Sequence, residues 1–198
     1  MGIELNYIDG QTPIDEDEKE SLLIPSITTR LELDEFEQLN IERAIEWTLT
    51  RKFTKEDVLS ELFVKELHSK MFDSVWKWAG KFRTSNKNIG VEWQVIAVSL
   101  RQLMDDCNFW IENNTYPDEE IAVRFSHGIV SIHCFPNGNG RHSRLIADII
   151  TNHIFKKPLF SWGSDNLVKI GEVRKRYINA IQEADKGNIA PLLEFAHS

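Results

Sequence analysis

The sequence predicts an all-α domain carrying one small β-hairpin, and three observations make that prediction. Apolar residues recur at spacings of three and four from Leu33 almost to the C-terminus, the period of helices that bury one face. Only residues 85–93 set turn formers between β-formers, as a short hairpin does. The 198 residues suffice for one buried core and are short for two.

Taken in order, residues 1–26 are polar, with the acidic run Asp15-Glu16-Asp17-Glu18 and the breakers Pro13 and Pro25. They are expected to form an irregular arm ahead of a domain over 27–198. Phe36, Leu39, Ala44, Ile45 and Thr48 predict a first helix reaching about Arg51. Thr54, with Asp57 three residues on, reads as the N-cap and acidic first turn of a second helix. Its buried stripe is Val58, Leu62, Leu67 and Met71. Gly80 and Phe82-Arg83-Thr84 interrupt the period before the hairpin. Helical spacing returns over 95–113 and again after Pro117, where Ile121, Phe125, Gly128, Ile129 and Ile132 share a face that runs into His133. Asn137-Gly138-Asn139-Gly140 packs two glycines around an asparagine and must begin as loop. Leu145, Ile149 and Ile150 then open a deeply buried helix that Lys156-Lys157-Pro158 ends. Val173, Tyr177, Ile178 and Ile181 mark another helix, and residues 191–196 a short last one.

Composition narrows the function. A formal net charge of −8 argues against a nonspecific nucleic-acid binder, while leaving room for a local basic pocket. Two cysteines without CxxC spacing, Cys107 and Cys134, argue against a disulfide framework or a four-cysteine zinc site and suit reduced thiols. No run approaches 18 apolar residues and the first residues lack a signal-peptide pattern, so the expectation is a cytoplasmic protein with no membrane partner.

Chemistry concentrates in residues 133–144. Glycines flanking Asn139 let successive N–H groups point one way, making an anion nest, and a helix starting there adds its open N–H groups and positive dipole end. Arg141 and Arg144, three apart, share a helical face and can converge on the same anion. Several positive features aimed at one place suit a polyphosphate. His133, across the loop, can take a proton from an incoming hydroxyl, a step typically worth about a hundred- to ten-thousand-fold in rate. Each element alone is more often structural: a turn, a solvated face, a packing histidine. Their joint spacing carries the prediction.

The segment resembles the Fic motif, His-x-Phe-x-(Asp/Glu)-Gly-Asn-Gly-Arg-x-x-Arg, matching at His133, Phe135, Gly138, Asn139, Gly140, Arg141 and Arg144. Residues 76–83 (Trp-Lys-Trp-Ala-Gly-Lys-Phe-Arg) resemble the segment before the family's flap, and residues 185–192 resemble its closing Gly-Asp/Asn-x-x-Pro-Leu signature. The whole string also resembles the subgroup catalogued as mobile mystery protein B. The resemblance implies a Fic-fold helical bundle with a hairpin flap, and a protein adenylyltransferase that moves AMP from ATP to a Ser, Thr or Tyr hydroxyl. His133 would be the base; Gly138, Asn139, Gly140, Arg141 and Arg144 would hold the nucleotide; Phe135 would anchor the loop. Ile89, Gly90 and Val91 would clamp the target peptide. Partners would be ATP, with Mg²⁺ as cofactor, and a protein target or the chain itself; a homo-oligomer and a toxin–antitoxin-like setting are compatible with it.

Two positions complicate that picture. Asn137 stands where the motif carries a metal-holding carboxylate, so its contact with magnesium lacks a charge. This favours, as an alternative, a catalytically weakened nucleotide-binding protein, or transfer of another phosphate-containing group. The family's inhibitory pattern, (Ser/Thr)-x-x-x-Glu-(Gly/Asn), is met by Thr28 to Glu32 and fails at Leu33. It makes 27–33 a candidate inhibitory helix and Glu32 a candidate partner of Arg144. A hydrolytic metal site from His127, His133, His142 and Asp148 matches no common ligand spacing.

Overall fold

The computed structural model describes residues 19–164 and 170–198. Most of the predicted arm, residues 1–18, lies outside them. The helices are α1 (Arg30–Leu49), α2 (Lys55–Val58), α3 (Glu61–Phe72), α4 (Ile96–Asn113), α5 (Asp118–Ile132), α6 (Asn139–Ile149), α7 (Ile170–Asp185) and α8 (Ala190–Ala196). A 3-10 turn at Trp93–Val95 leads into α4, and a π-turn at Ile150–Ile154 prolongs α6. None is long and apolar enough to cross a membrane, among the described residues.

Helix α5 is central: it packs on α6, α4 and α8, while α1 packs on α3 and α3 on α6. Its buried face carries Ile121, Phe125 and Ile129, each essentially free of solvent, a burial worth about 1.5–3 kcal/mol per side chain. Helix α6 meets it with Ile146, Ala147 and Ile150. The positions expected from the sequence for 121–132 and for 145–150 are thus core.

Helix α1 forms as expected and buries Ala44 and Thr48 as expected, but its inward face is shifted in the first half. Phe36, Leu39 and Ile45 face outward, while Glu37 and Asn40 are buried. The polar pair is satisfied there: Asn40 donates to Lys70 O and accepts from Ser74 N–H, both at 2.9 Å, so apolar spacing alone misread the face. The second predicted helix is two. Thr54 and Asp57 form a capping box for the single turn α2, then Ser60 caps α3 by accepting from Phe63 N–H at 3.1 Å. That restart turns Leu62 outward, 76% exposed, and buries Phe63 and Val64 in its place.

The expected hairpin is absent. The described residues contain one isolated antiparallel bridge, Leu22 with Trp76, which pins the end of the N-terminal arm, and residues 85–93 form an irregular loop. The reason is Arg83. Its guanidinium donates to Val91 O and to Ser85 O, acceptors that a cross-strand ladder would need.

Candidate active site

The loop between α5 and α6 is built by mutual locks. His133 ends α5 in the left-handed region (φ 56°, ψ 60°), which throws the chain out of the helix axis. Phe135 then inserts fully and stacks on the His68 ring, centroids 3.6 Å apart and planes 13° apart. The Asn139 carboxamide ties the turn from below, accepting from Phe135 N–H at 3.0 Å and donating to Phe135 O at 2.8 Å. At Gly138 (φ 80°) a Cβ would sit 2.5 Å from the Phe72 ring, so only glycine fits.

His68 joins this loop to the segment before the flap. Its Nδ1 accepts from Gly80 N–H and its Nε2–H donates to Asn137 O, each at 3.0 Å, which fixes the neutral tautomer. Burial, then the neighbouring His142 and Arg141, push its pKa well below the usual range. A neutral ring can lie in the core against Phe135. His142, also buried, donates from Nε2 to Val64 O at 3.0 Å, and burial holds its pKa near 4.

Helix α6 begins at Asn139 with no side chain capping it. An uncapped helix start that follows a glycine turn is a ready anion site. Arg141 and Arg144 both rise from its first turns. Arg141 donates to Glu37 Oε2 at 2.7 Å and lies 5.0 Å over the Phe72 ring. Arg144 lies 5.1 Å over the Tyr177 ring of α7. Asn137 turns its side-chain oxygen back onto Gly138 N–H at 2.6 Å.

His133 sits across the loop, 3% exposed, with neither ring nitrogen in a well-formed hydrogen bond. Burial, then the charges of Arg83 and Lys87, lower its pKa to about 4, with the Val130 carbonyl opposing. A buried neutral imidazole so weakly held keeps a ring nitrogen available to accept a proton. Its cover is the 89–91 loop: a Cβ on Gly90 would come within 2.6 Å of His133 Cβ. Val91 N–H bonds Ile132 O at 3.3 Å, and Arg83 Nε donates to His133 O at 2.6 Å. Ile89, by contrast, points half its surface to solvent.

The structure therefore gathers His133, Gly138, Asn139, Gly140, Arg141, Arg144 and the loop at Ile89, Gly90 and Val91. It does not bring Glu32 to Arg144. The Glu32 carboxylate closes a capping box on α1, accepting from the N–H groups of Thr28 and Thr29 at 2.9 Å each. Those bonds, Thr28 first, hold its pKa below the carboxylate norm. The acid that reaches a loop arginine is Glu37, 2% exposed and also held by Trp76 Nε1–H at 2.7 Å. His127 bonds Asp185 instead of joining His133, and no group of three or more His, Cys, Asp or Glu among the described residues could hold a metal. Cys107 and Cys134 are free and buried, and burial raises both thiols to about 12.

Residues 58–151, spanning α3 through α6 and the whole loop, match the Fic/DOC family. Those residues form a Fic/DOC domain. A protein adenylyltransferase Fic from Aedes aegypti is 24% identical over 163 residues, which are 80% of this chain and 31% of the relative. The chain thus spans about a third of that relative's length. Among solved structures, Fic-1 from C. elegans superposes with a TM-score of 0.67 at 20% identity, over 90% of this chain and 51% of that one. The BepC protein of Bartonella tribocorum, solved with bound AMPPNP, gives 0.67 at 16% identity, over 92% of this chain and 97% of that one. The all-α Fic fold is common to this chain and those two structures.

Sequence reasoning missed three residues of this site. Glu37 was legible only as an acid placed where the true buried face of α1 falls. His68 lay unmarked on the buried face of α3. Arg83 lies within the 76–83 segment, but nothing in the sequence shows that its side chain clamps the 89–91 loop.

Proposed function

We propose that this Fic protein transfers AMP from ATP to a protein hydroxyl, with His133 as general base. The observation that carries the proposal is the pairing of an unpartnered, neutral imidazole with an uncapped helix start that bears two arginines. In the reaction the hydroxyl oxygen bonds to the α-phosphorus, its proton passes to a ring nitrogen of His133, and the bond to the β-phosphate oxygen breaks. Pyrophosphate leaves against Arg141, Arg144 and the N–H groups after Gly138. The 89–91 loop must lift from His133 to admit the target, and its exposed Ile89 offers the first contact.

Magnesium, when bound with the nucleotide, would neutralise phosphate charge. The chain supplies one neutral oxygen, that of Asn137, already engaged by Gly138 N–H. The ion would therefore be held chiefly by the phosphates, as Mg²⁺ commonly is. The same residue favours the second reading, a nucleotide binder with weakened catalysis. Any resting brake belongs to Glu37, whose carboxylate occupies Arg141, and not to Glu32.

ATP labelled on the α- or the γ-phosphate separates these readings. Protein-bound α-label in the wild type supports AMP transfer. Bound γ-label means phosphorylation, and ATP binding without label means the weakened protein.

A further inference from the structure

We propose that Arg30 and Arg174 complete the phosphate site, forming with Arg141 and Arg144 a guanidinium cluster that grips the terminal phosphate of a nucleoside triphosphate and selects it over di- and monophosphates. The proposal rests on the nucleotide-binding reading above and adds residues that lie outside the 133–144 segment.

Two helices outside the loop carry these arginines toward the start of α6. On α1, Arg30, Asp34 and Glu37 stand at i, i+4 and i+7 and so share a face. Glu37 on that face bonds Arg141 at 2.7 Å, and Arg30 bonds Asp34 at 2.7 Å. The Arg30 Nε is buried with no hydrogen-bond partner, so one donor of its fork is left to use. On α7, Arg174 and Tyr177 stand three apart and share a face. The Tyr177 ring carries the Arg144 guanidinium at 5.1 Å, its hydroxyl is 3.4 Å from Ser143, and it lies 3.6 Å from where a Gly140 Cβ would be. Arg174 is thereby brought over the same helix start that Arg30 approaches from α1.

The electrostatics agree with this placement. After burial, the charges that act most on Arg174 are Arg141, Arg30 and Arg144 in that order, all repulsive, with Asp34 opposing. Glu37 and Asp34 compensate this cluster only in part, and an anion bound among the guanidinium groups gains from each of them. Arg141 and Arg144 belong to the motif and face the outer phosphates, so the added pair extends a cluster already directed there. The added pair stands on α1 and α7, outside the loop that carries His133. A planar fork also suits a terminal phosphate with three free oxygens.

The test is calorimetric binding of ATP, ADP and AMP, at constant excess Mg²⁺, to the full chain and to Arg30→Gln, Arg174→Gln and Arg174→Lys. Each glutamine variant is expected to lose about tenfold or more in ATP affinity, with AMP affinity nearly unchanged. Arg174→Lys should fold as the wild type and lose several-fold in the ATP-to-AMP ratio, because the charge remains and the fork is gone; it decides the matter where a glutamine variant does not fold. Equal weakening of all three nucleotides, or none, overturns the proposal while leaving nucleotide binding in place. A wild-type chain that binds none of them overturns this proposal and the proposed function together.

Discussion

The Glu37 carboxylate bonds Arg141 at 2.7 Å on one oxygen and the Trp76 indole N–H at 2.7 Å on the other. It is a nearly sealed acid held in register by a tryptophan, with its charge spent on a loop arginine that a phosphate would otherwise claim. A buried ion pair of this kind is weak support for stability and better suited to a switch.

Replacing Glu37 by Gln keeps the shape and the indole bond but removes the charge. AMP transfer is expected to rise, on the order of five- to a hundredfold for a coupling of ordinary size. Labelling with α-labelled ATP reads it directly. A fall in rate would instead make Glu37 the residue that positions Arg141 for catalysis.

His68→Ala removes the bridge between Gly80 and Asn137 along with the stack on Phe135. Two buried hydrogen bonds and a cavity are lost, so stability should fall by about 3 kcal/mol. Denaturant unfolding measures it. A loss under about 1 kcal/mol would mean the loop holds itself.

Asn137→Asp should raise transfer at limiting Mg²⁺ and lower the magnesium concentration needed for half-maximal rate. The aspartate can still accept from Gly138 N–H while adding the missing charge. Rates that do not change with the substitution would remove metal ligation as the weakness of this site.

Stability should depend on pH in two opposed ways. His133 and His142 titrate near 4 in the fold and near 6.5 when unfolded, so the unfolded chain binds more protons between those values. Their contribution is complete above about pH 6.5 and is lost as pH falls toward 4. Asp148 runs the other way: burial, offset in part by Trp162 and Phe160, raises it to about 7 from 3.8. Its contribution is complete below 3.8 and is lost as pH rises through 7. Thermal midpoints should therefore rise from pH 4 to about 6.5, where the two histidines outweigh Asp148, and dip slightly from there to about 7. Asp148→Asn should steepen the acid limb and remove the dip, and an unchanged acid limb in that variant would contradict the assignment.

Much of this was legible in the sequence, for physical reasons that differ by element. Ile121, Phe125 and Ile129 predicted the core of α5 because that helix is amphipathic and its acids gather in the first turn. The loop was legible because Gly138 and Asn139 each meet a local demand, a left-handed turn and a pair of hydrogen bonds to the backbone of Phe135. Failures came where tertiary partners decide. Glu37 and Asn40 are buried because Trp76, Arg141, Lys70 and Ser74 wait for them, which no period shows. Residues 85–93 have hairpin chemistry, yet the Arg83 side chain takes the acceptors a ladder needs. Glu32 met its motif pattern, but the same Thr-x-x-Glu spacing is a capping box, and at the start of a helix the local bonds win.

The central claim is tested most directly by the structure of the chain bound to a non-hydrolysable ATP analogue. The account predicts the triphosphate across the start of α6, its inner phosphates on the N–H groups after Gly138 and its α-phosphate on the side facing His133. A triphosphate bound elsewhere, or one at that helix start whose α-phosphate faces away from His133 with the 89–91 loop still closed over the imidazole, would contradict it.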